Sequence, residues 1–299
     1  MNSMTMKTIF SLTAVLCAAG LAASAQAVRS SEEGMYRITS GEVAMTVDAA
    51  HGGKILSFTY GDEEILSRTR FPNSFGSTFW TSPQSEWNWP PVEEFDTKPY
   101  EARMEGDTLL LTSQKSERFG YRVRKRFAAD PSDGAVVVTY SILNESGETR
   151  RVAPWEITRV PNGGIIFFDA ERVEGANGME ALPFVFGKGA AWYTVDEAAR
   201  NRKTNADGKG WLAFANGSLM LVKKFQDLDA SQPAPAEAEI QIYVNSGKTY
   251  VEIEEQGAYT TLGPGGQLDW TVRWYLVPQT LPSVPDEVLL RQALDRVGL

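Results

Sequence analysis

Histidine and cysteine are nearly missing from this chain: one of each in 299 residues. The lone histidine, His51, precedes Gly52-Gly53 and reads as a turn residue. The lone cysteine, Cys17, lies within the first apolar stretch. So few thiols and imidazoles argue against a structural zinc site, a disulfide scaffold and a Cys/His nucleophile pair. Positive charge is also short. The formal balance is −9, against a duplex nucleic-acid partner, whose phosphates call for an excess of lysine and arginine. No glycine-rich phosphate loop opens a helix, since Asn162-Gly-Gly-Ile165 and Gly263-Pro-Gly-Gly266 both read as turns. No metal and no cofactor is expected. Beyond the N-terminus, no stretch approaches the twenty apolar residues of a membrane helix.

The N-terminus reads as an export signal. Lys7 precedes the apolar run Ile9 to Leu21, and Ala25-Gln26-Ala27 supplies the small residues of a cleavage site. Residues 1–27 are therefore expected to be removed, leaving 28–299 as one domain, periplasmic or secreted and without a membrane anchor. Leu16 before Cys17 is a poor match to lipoprotein processing, which prefers a small residue there.

What the chain has in quantity is β-pattern. Segments such as Phe119 to Phe127, Val136 to Leu143, Trp211 to Phe225, Ile240 to Val244, Tyr250 to Glu254 and Leu268 to Val277 are rich in Val, Ile, Thr and aromatics. Turn pairs separate them, and Asn216-Gly217 between two apolar runs predicts a tight hairpin. Ala176 to Ala206 reads as loop-rich. Near the C-terminus a helix is expected, with Ser283 and Asp286 as a capping box, Pro285 in its first turn and Gly298 ending it. The whole is an all-β expectation: one large antiparallel sandwich with a short C-terminal helix.

One segment departs from this regularity. Gly76 to Pro91 packs Trp80, Trp87 and Trp89 among Gln84, Glu86, Asn88 and three prolines, and it reads as irregular. Indoles beside amides and carboxylates suit a sugar, whose C–H face stacks while its hydroxyls take directional hydrogen bonds. The alternative is that these tryptophans plug the end of a sandwich core.

His51-Gly-Gly-Lys-Ile-Leu-Ser-Phe58 followed by Gly61-Asp-Glu-Glu-Ile-Leu66 resembles the opening hairpin of the galactose mutarotase-like superfamily. Tyr250-Val-Glu-Ile-Glu-Glu-Gln-Gly257, Leu262-Gly-Pro-Gly-Gly-Gln267 and Trp270-Thr-Val-Arg-Trp-Tyr-Leu276 resemble its closing strands. The Gly76 to Pro91 segment is similar to an exported branch of that superfamily, a domain of unknown function. The resemblance implies a β-supersandwich with a carbohydrate-binding concave face and a mono- or oligosaccharide partner. It also implies a glutamate base with a histidine acid for ring opening. Here only Glu252 or Glu254 matches the base, and Pro154-Trp-Glu-Ile-Thr-Arg159 stands where a histidine-bearing strand is expected. Two functions follow: a sugar-binding protein without the His/Glu chemistry, or an aldose 1-epimerase-like enzyme with a non-histidine acid such as Glu156. A structural domain with no small ligand is the weakest third.

Alternation puts Tyr250, Glu252 and Glu254 on one strand face and Val251 and Ile253 on the other. If the strand Leu268 to Val277 is a neighbour, Arg273 shares the face of the two glutamates. Expected catalytic residues are thus Glu252, Glu254 and Glu156. Expected sugar contacts are Trp80, Gln84, Trp87, Trp89, Trp155, Arg159 and Arg273. Arg122, Arg124 and Arg126 read as a solvated face, with a subsite for uronate or sulfated sugar as the alternative.

Overall fold

Two antiparallel sheets lie face to face because most strands carry an apolar side that must leave water. They are seen in a computed structural model that describes residues 26–29 and 32–299 apart from 72, 73 and 283. The signal-peptide reading and Ser283 fall outside these residues, except for the strand Gln26–Arg29. The first sheet runs in the order Gln26–Arg29, Met35–Ser40, Val43–Asp48, Lys54–Tyr60, Ser77–Ser82, Arg150–Val160, Val251–Gln256, Ile240–Val244, Arg202–Ala206 and Glu174–Gly175. The second runs Val185–Gly187, Ala190–Thr194, Ile165–Phe168, Trp211–Asn216, Leu219–Lys224, Gln267–Pro278, Ala135–Asn144, Tyr121–Asp130, Thr108–Thr112 and Glu101–Glu105.

Between the sheets sits the main core. Phe58 meets Trp274 edge-on at 5.4 Å, and Phe79 stacks on Tyr140 at 4.6 Å. A second apolar cluster covers the outer face of the second sheet. There Leu289, Leu290, Ala293 and Val297 of the helix Glu287–Val297 pack on Phe167, Trp192, Trp211 and Met220. Asp286 caps that helix by accepting from the N–H groups of Val288 (2.7 Å) and Leu289 (3.3 Å), and Gly298 ends it at φ +75°. Among the described residues no helix is long and apolar enough to cross a membrane.

Three expectations are corrected. The first half of the Trp/Pro segment is a strand, Ser77–Ser82, followed by the short turn Gln84–Glu86. All six strand residues are buried, so no polar alternation marks it. The loop-rich stretch Ala176 to Ala206 holds three strands, Val185–Gly187, Ala190–Thr194 and Arg202–Ala206. Finally, Val251–Gln256 and Gln267–Pro278 are not neighbours. The former pairs with Arg150–Val160 and Ile240–Val244 in one sheet, the latter with Ala135–Asn144 and Leu219–Lys224 in the other.

Candidate functional site

Five adjacent strands of the first sheet turn one set of alternate residues outward. The register sets Trp155 opposite Trp80, Arg159 opposite Glu252, Glu252 opposite Tyr243, and Lys203 opposite Tyr243. Glu254 follows Glu252 by two residues and shares its face. All of these except Arg159, which lies buried against Glu252, floor a cavity of about 540 Å³, a volume that suits a small ligand. Trp89, Phe71, Tyr250 and the turn Asn245–Gly247 form its walls.

The Trp/Pro segment builds one wall. Trp80 is the centre of the aromatic group, edge-on to Trp155 at 5.3 Å, to Trp87 at 5.4 Å and to Trp89 at 6.1 Å. Trp87 lies beneath this group, its indole N–H donating to the Thr81 carbonyl at 2.8 Å. Asn88, left-handed at φ +60°, turns the chain so that Trp89 stands in solvent, 63% exposed. Gln84 lines the cavity while its backbone N–H donates to Glu237 at 3.0 Å.

Behind Trp80 lies an anchor absent from the sequence reading. The buried Asp96 carboxylate accepts from Trp80 Nε1 (2.9 Å), Thr78 Oγ1 (2.7 Å) and Lys54 Nζ (3.0 Å). Burial alone raises a carboxyl pKa, but the Lys54 charge and the bonds from Trp80 and Thr78 outweigh it and hold Asp96 below its ordinary value. Gly52 permits this close approach: at φ +68°, a Cβ there would sit 2.0 Å from the Asp96 carbonyl oxygen.

Two ion pairs make the floor polar. Arg159 meets Glu252 at 2.8 Å, with Tyr250 and Trp80 against the guanidinium. Lys203 meets Glu254 at 3.2 Å, and Trp155 Nε1 donates to the same carboxylate oxygen at 3.0 Å. Burial pushes the Glu254 carboxyl up to about 7; Lys203 opposes this and Glu252 adds to it. Burial and the Glu252 charge push the Tyr243 phenol up to about 12. The cavity thus offers a carboxyl that changes charge near neutrality, held beside an ammonium and an indole N–H.

The structure gathers Glu252, Glu254, Trp80, Gln84, Trp89 and Trp155 around this cavity, while Arg159 lies buried behind the lining and reaches it only through its ion pair with Glu252. Trp87 is a second layer below it. Glu156 and Arg273 are elsewhere. Glu156 faces the space between the sheets, fully buried, where Lys223 Nζ lies 3.0 Å away and also bonds Glu255 and Thr158, while Tyr140 donates to Glu156. Strand alternation forces this, since Trp155 and Arg159 take the outer face. Burial and the neighbouring Glu156 drive Glu255 well above its ordinary pKa, although Lys223 opposes them. Glu156 is lowered: burial opposes its charge, but Lys223 and hydrogen bonds outweigh it. Arg273 is on the outer face of the second sheet, bound to Asp130 (2.7 Å), Asp133 (2.6 Å) and Tyr275 (2.9 Å). Lys203 and Tyr243 went unread because Lys203-Thr-Asn205 carries no apolar alternation, and only the sheet order brings it beside the glutamates.

No protein-family profile and no curated protein sequence matches the chain. Solved structures do. A galactose mutarotase-like protein from Lactobacillus casei superposes with a TM-score of 0.61 at 14% identity, over 82% of this chain and 100% of that one. A candidate aldose 1-epimerase from Escherichia coli K12 gives 0.62 at 14%, over 82% and 99%. A galactose mutarotase related enzyme from Lactobacillus acidophilus gives 0.59 at 12%, over 84% and 100%. The fold is galactose mutarotase-like. Within this mutarotase-like frame His51 stays in its turn, 63% of its side chain exposed and Nδ1 2.8 Å from Asp48. Arg122, Arg124 and Arg126 lie on the strand face opposite the buried Tyr121, Val123 and Phe127, and Arg122 pairs with Glu145. Among the described residues no group of three His, Cys, Asp or Glu could hold a metal ion.

Proposed function

We propose that this protein binds a mono- or oligosaccharide in the cavity on its first sheet. The observation that carries the reading is an exposed Trp89 standing beside a floor of paired charges and indole edges. An aromatic face in water serves a sugar's C–H surface, and fixed carboxylates and cations serve its hydroxyls. The resemblance of the fold to mutarotase-like proteins supports it. Export to the periplasm or beyond is part of the proposal and is supported by the N-terminal apolar run before Ala25-Gln-Ala27.

A second reading is favoured by the Lys203–Glu254 pair. Ring opening of an aldose takes the proton from the anomeric hydroxyl, breaks the bond from C1 to the ring oxygen and protonates that oxygen; reclosure on either face gives both anomers. A carboxyl poised near neutral pH can take the first proton, and the Lys203 ammonium can supply the second without a histidine.

A glycan array of the protein lacking residues 1–27 tests binding, and NMR of each bound free sugar tests anomerisation. Glu254→Gln is expected to weaken binding by about a hundredfold and Trp89→Ala by about tenfold, on the scale of a charged hydrogen bond and of a stacked ring. His51→Ala should leave binding unchanged. An array without a single saccharide signal overturns the proposal.

A further inference from the structure

The cavity does not end at its own floor. Thr249 belongs both to its wall and to a second, shallower cavity of about 650 Å³. The segment that carries Phe71 to the first cavity carries Arg68 and Thr69 to the second, and Lys248 follows Gly247 around the same turn. The two hollows therefore adjoin at Thr249, each lined by part of the same two chain segments. Together they offer more room than a single sugar ring needs, since either volume alone falls within the range of an ordinary small-molecule site.

Charge distinguishes the outer half. The chain as a whole is acidic, at −9. Yet the outer hollow presents Arg68, exposed and without an ion pair among the described residues. Lys248 adds a second positive charge, although its ammonium is turned toward the Asp196 carbonyl and lies 4.0 Å from Glu197. The one carboxylate lining this hollow, Glu64, is already occupied. It accepts from Ser57 Oγ (2.6 Å) and from the N–H groups of Phe58 and Leu66 (2.9 Å each). Asn162 and Thr69 supply neutral polar groups. The inner half differs, because there each cation has its own carboxylate.

We propose that the two hollows act as one trough that takes an acidic oligosaccharide rather than a free monosaccharide, one unit on the ion-paired floor and the next, bearing a carboxylate or sulfate, beneath Arg68. This rests on the saccharide reading above and names its substrate class. A guanidinium can hold a carboxylate or sulfate by two parallel hydrogen bonds, which a neutral hydroxyl does not match.

Tryptophan-fluorescence and calorimetric titrations test it with monomers, dimers and tetramers of galacturonate, glucuronate and mannuronate. Carrageenan oligomers, sulfated galactans without a carboxylate, form the sulfated arm, and galactose, glucose and mannose oligomers the neutral one. In an acidic series, affinity is expected to rise at least about tenfold from monomer to dimer, one charged hydrogen bond's worth, and to fall as salt is raised. Arg68→Ala should remove that gain, as should Thr69→Trp, which fills the outer hollow. Both positions are exposed, so neither change opens a core void. The arm that gains tells carboxylate from sulfate. Affinity that does not grow with length, an equal gain for neutral oligomers, or a gain that survives Arg68→Ala overturns the inference while leaving the saccharide site standing. No binding by any member of any series, single sugars included, overturns both.

Discussion

Glu252 and Glu254 are the same residue type two positions apart, and their surroundings separate them. Glu252 is at the cavity surface with a guanidinium 2.8 Å away. Glu254 is almost wholly buried, and burial raises its carboxyl to about 7 from an ordinary 4.5. A raised carboxyl favours the fold while it keeps its proton. Its contribution is thus full below about pH 4.5, declines as pH rises toward 7 and is gone above that. Trp155 reports the event, because its indole N–H donates to this carboxylate. We expect Trp155 emission to titrate with a midpoint near 7, and the transition to vanish in Glu254→Gln. A flat wild-type profile between pH 5 and 9, in the range spanned by a neutral-titrating carboxyl, would contradict this assignment. The same-face placement of the two glutamates was legible in Glu-Ile-Glu; their unequal titration was not. Burial depends on Lys203 and Trp155, which arrive from other strands.

The strand Arg150–Val160 shows how one element serves two purposes. Of its outward residues, Trp155 lines the cavity and Arg159 pairs with Glu252 behind the lining, while Glu156 and Thr158 face the opposite sheet. There Lys223 ties Glu156 and Glu255 together, its ammonium 4.1 Å above the Trp274 ring. Glu156 and Glu255 are cross-strand partners directly behind the site. Removing the cation leaves two buried carboxyls with no counter-charge, so Lys223→Met is expected to cost about 3–5 kcal/mol in urea unfolding. Converting all three, as Glu156→Gln, Lys223→Met and Glu255→Gln together, should recover most of that loss, because an uncharged core carries no unpaired charge. A single substitution that leaves the midpoint unmoved would mean the triad is already neutral. The sequence offers Glu156 as a non-histidine acid because Pro154-Trp-Glu-Ile-Thr-Arg159 stands where a histidine-bearing strand is expected. The ladder runs in unbroken register from Ala153 to Thr158, and the alternation holds.

At the scale of the molecule, the two outer faces have opposite fates. The second sheet turns Phe167, Trp192, Trp211 and Met220 outward, and the C-terminal helix covers them. The first sheet's central strands instead face the cavity with ion pairs and hydrogen-bonded indoles. One face is sealed by apolar contact and the other stays open on charged groups that water tolerates. Deleting residues 284–299 should therefore expose an apolar patch, seen as binding of a hydrophobic dye and as aggregation. In the soluble fraction the Trp155 signal should still titrate near 7, since the helix packs its apolar side on the other sheet. Loss of that titration together with the helix would show that the two faces are energetically one unit.

Much of this was determined by sequence alone. Val-, Ile- and aromatic-rich segments between turn pairs define an all-β chain, Asn216-Gly217 defines a hairpin, and Gly298 marks the end of the C-terminal helix. Period-2 alternation also placed Val251 and Ile253 opposite Glu252 and Glu254, because it depends only on backbone geometry. The tertiary structure alone decided which strands stand side by side. Pairing joins residues far apart in the chain, and the choice among partners depends on how all the apolar faces are buried at once. That choice brought Lys203 to Glu254, and it put Arg273 in the other sheet, away from this cavity.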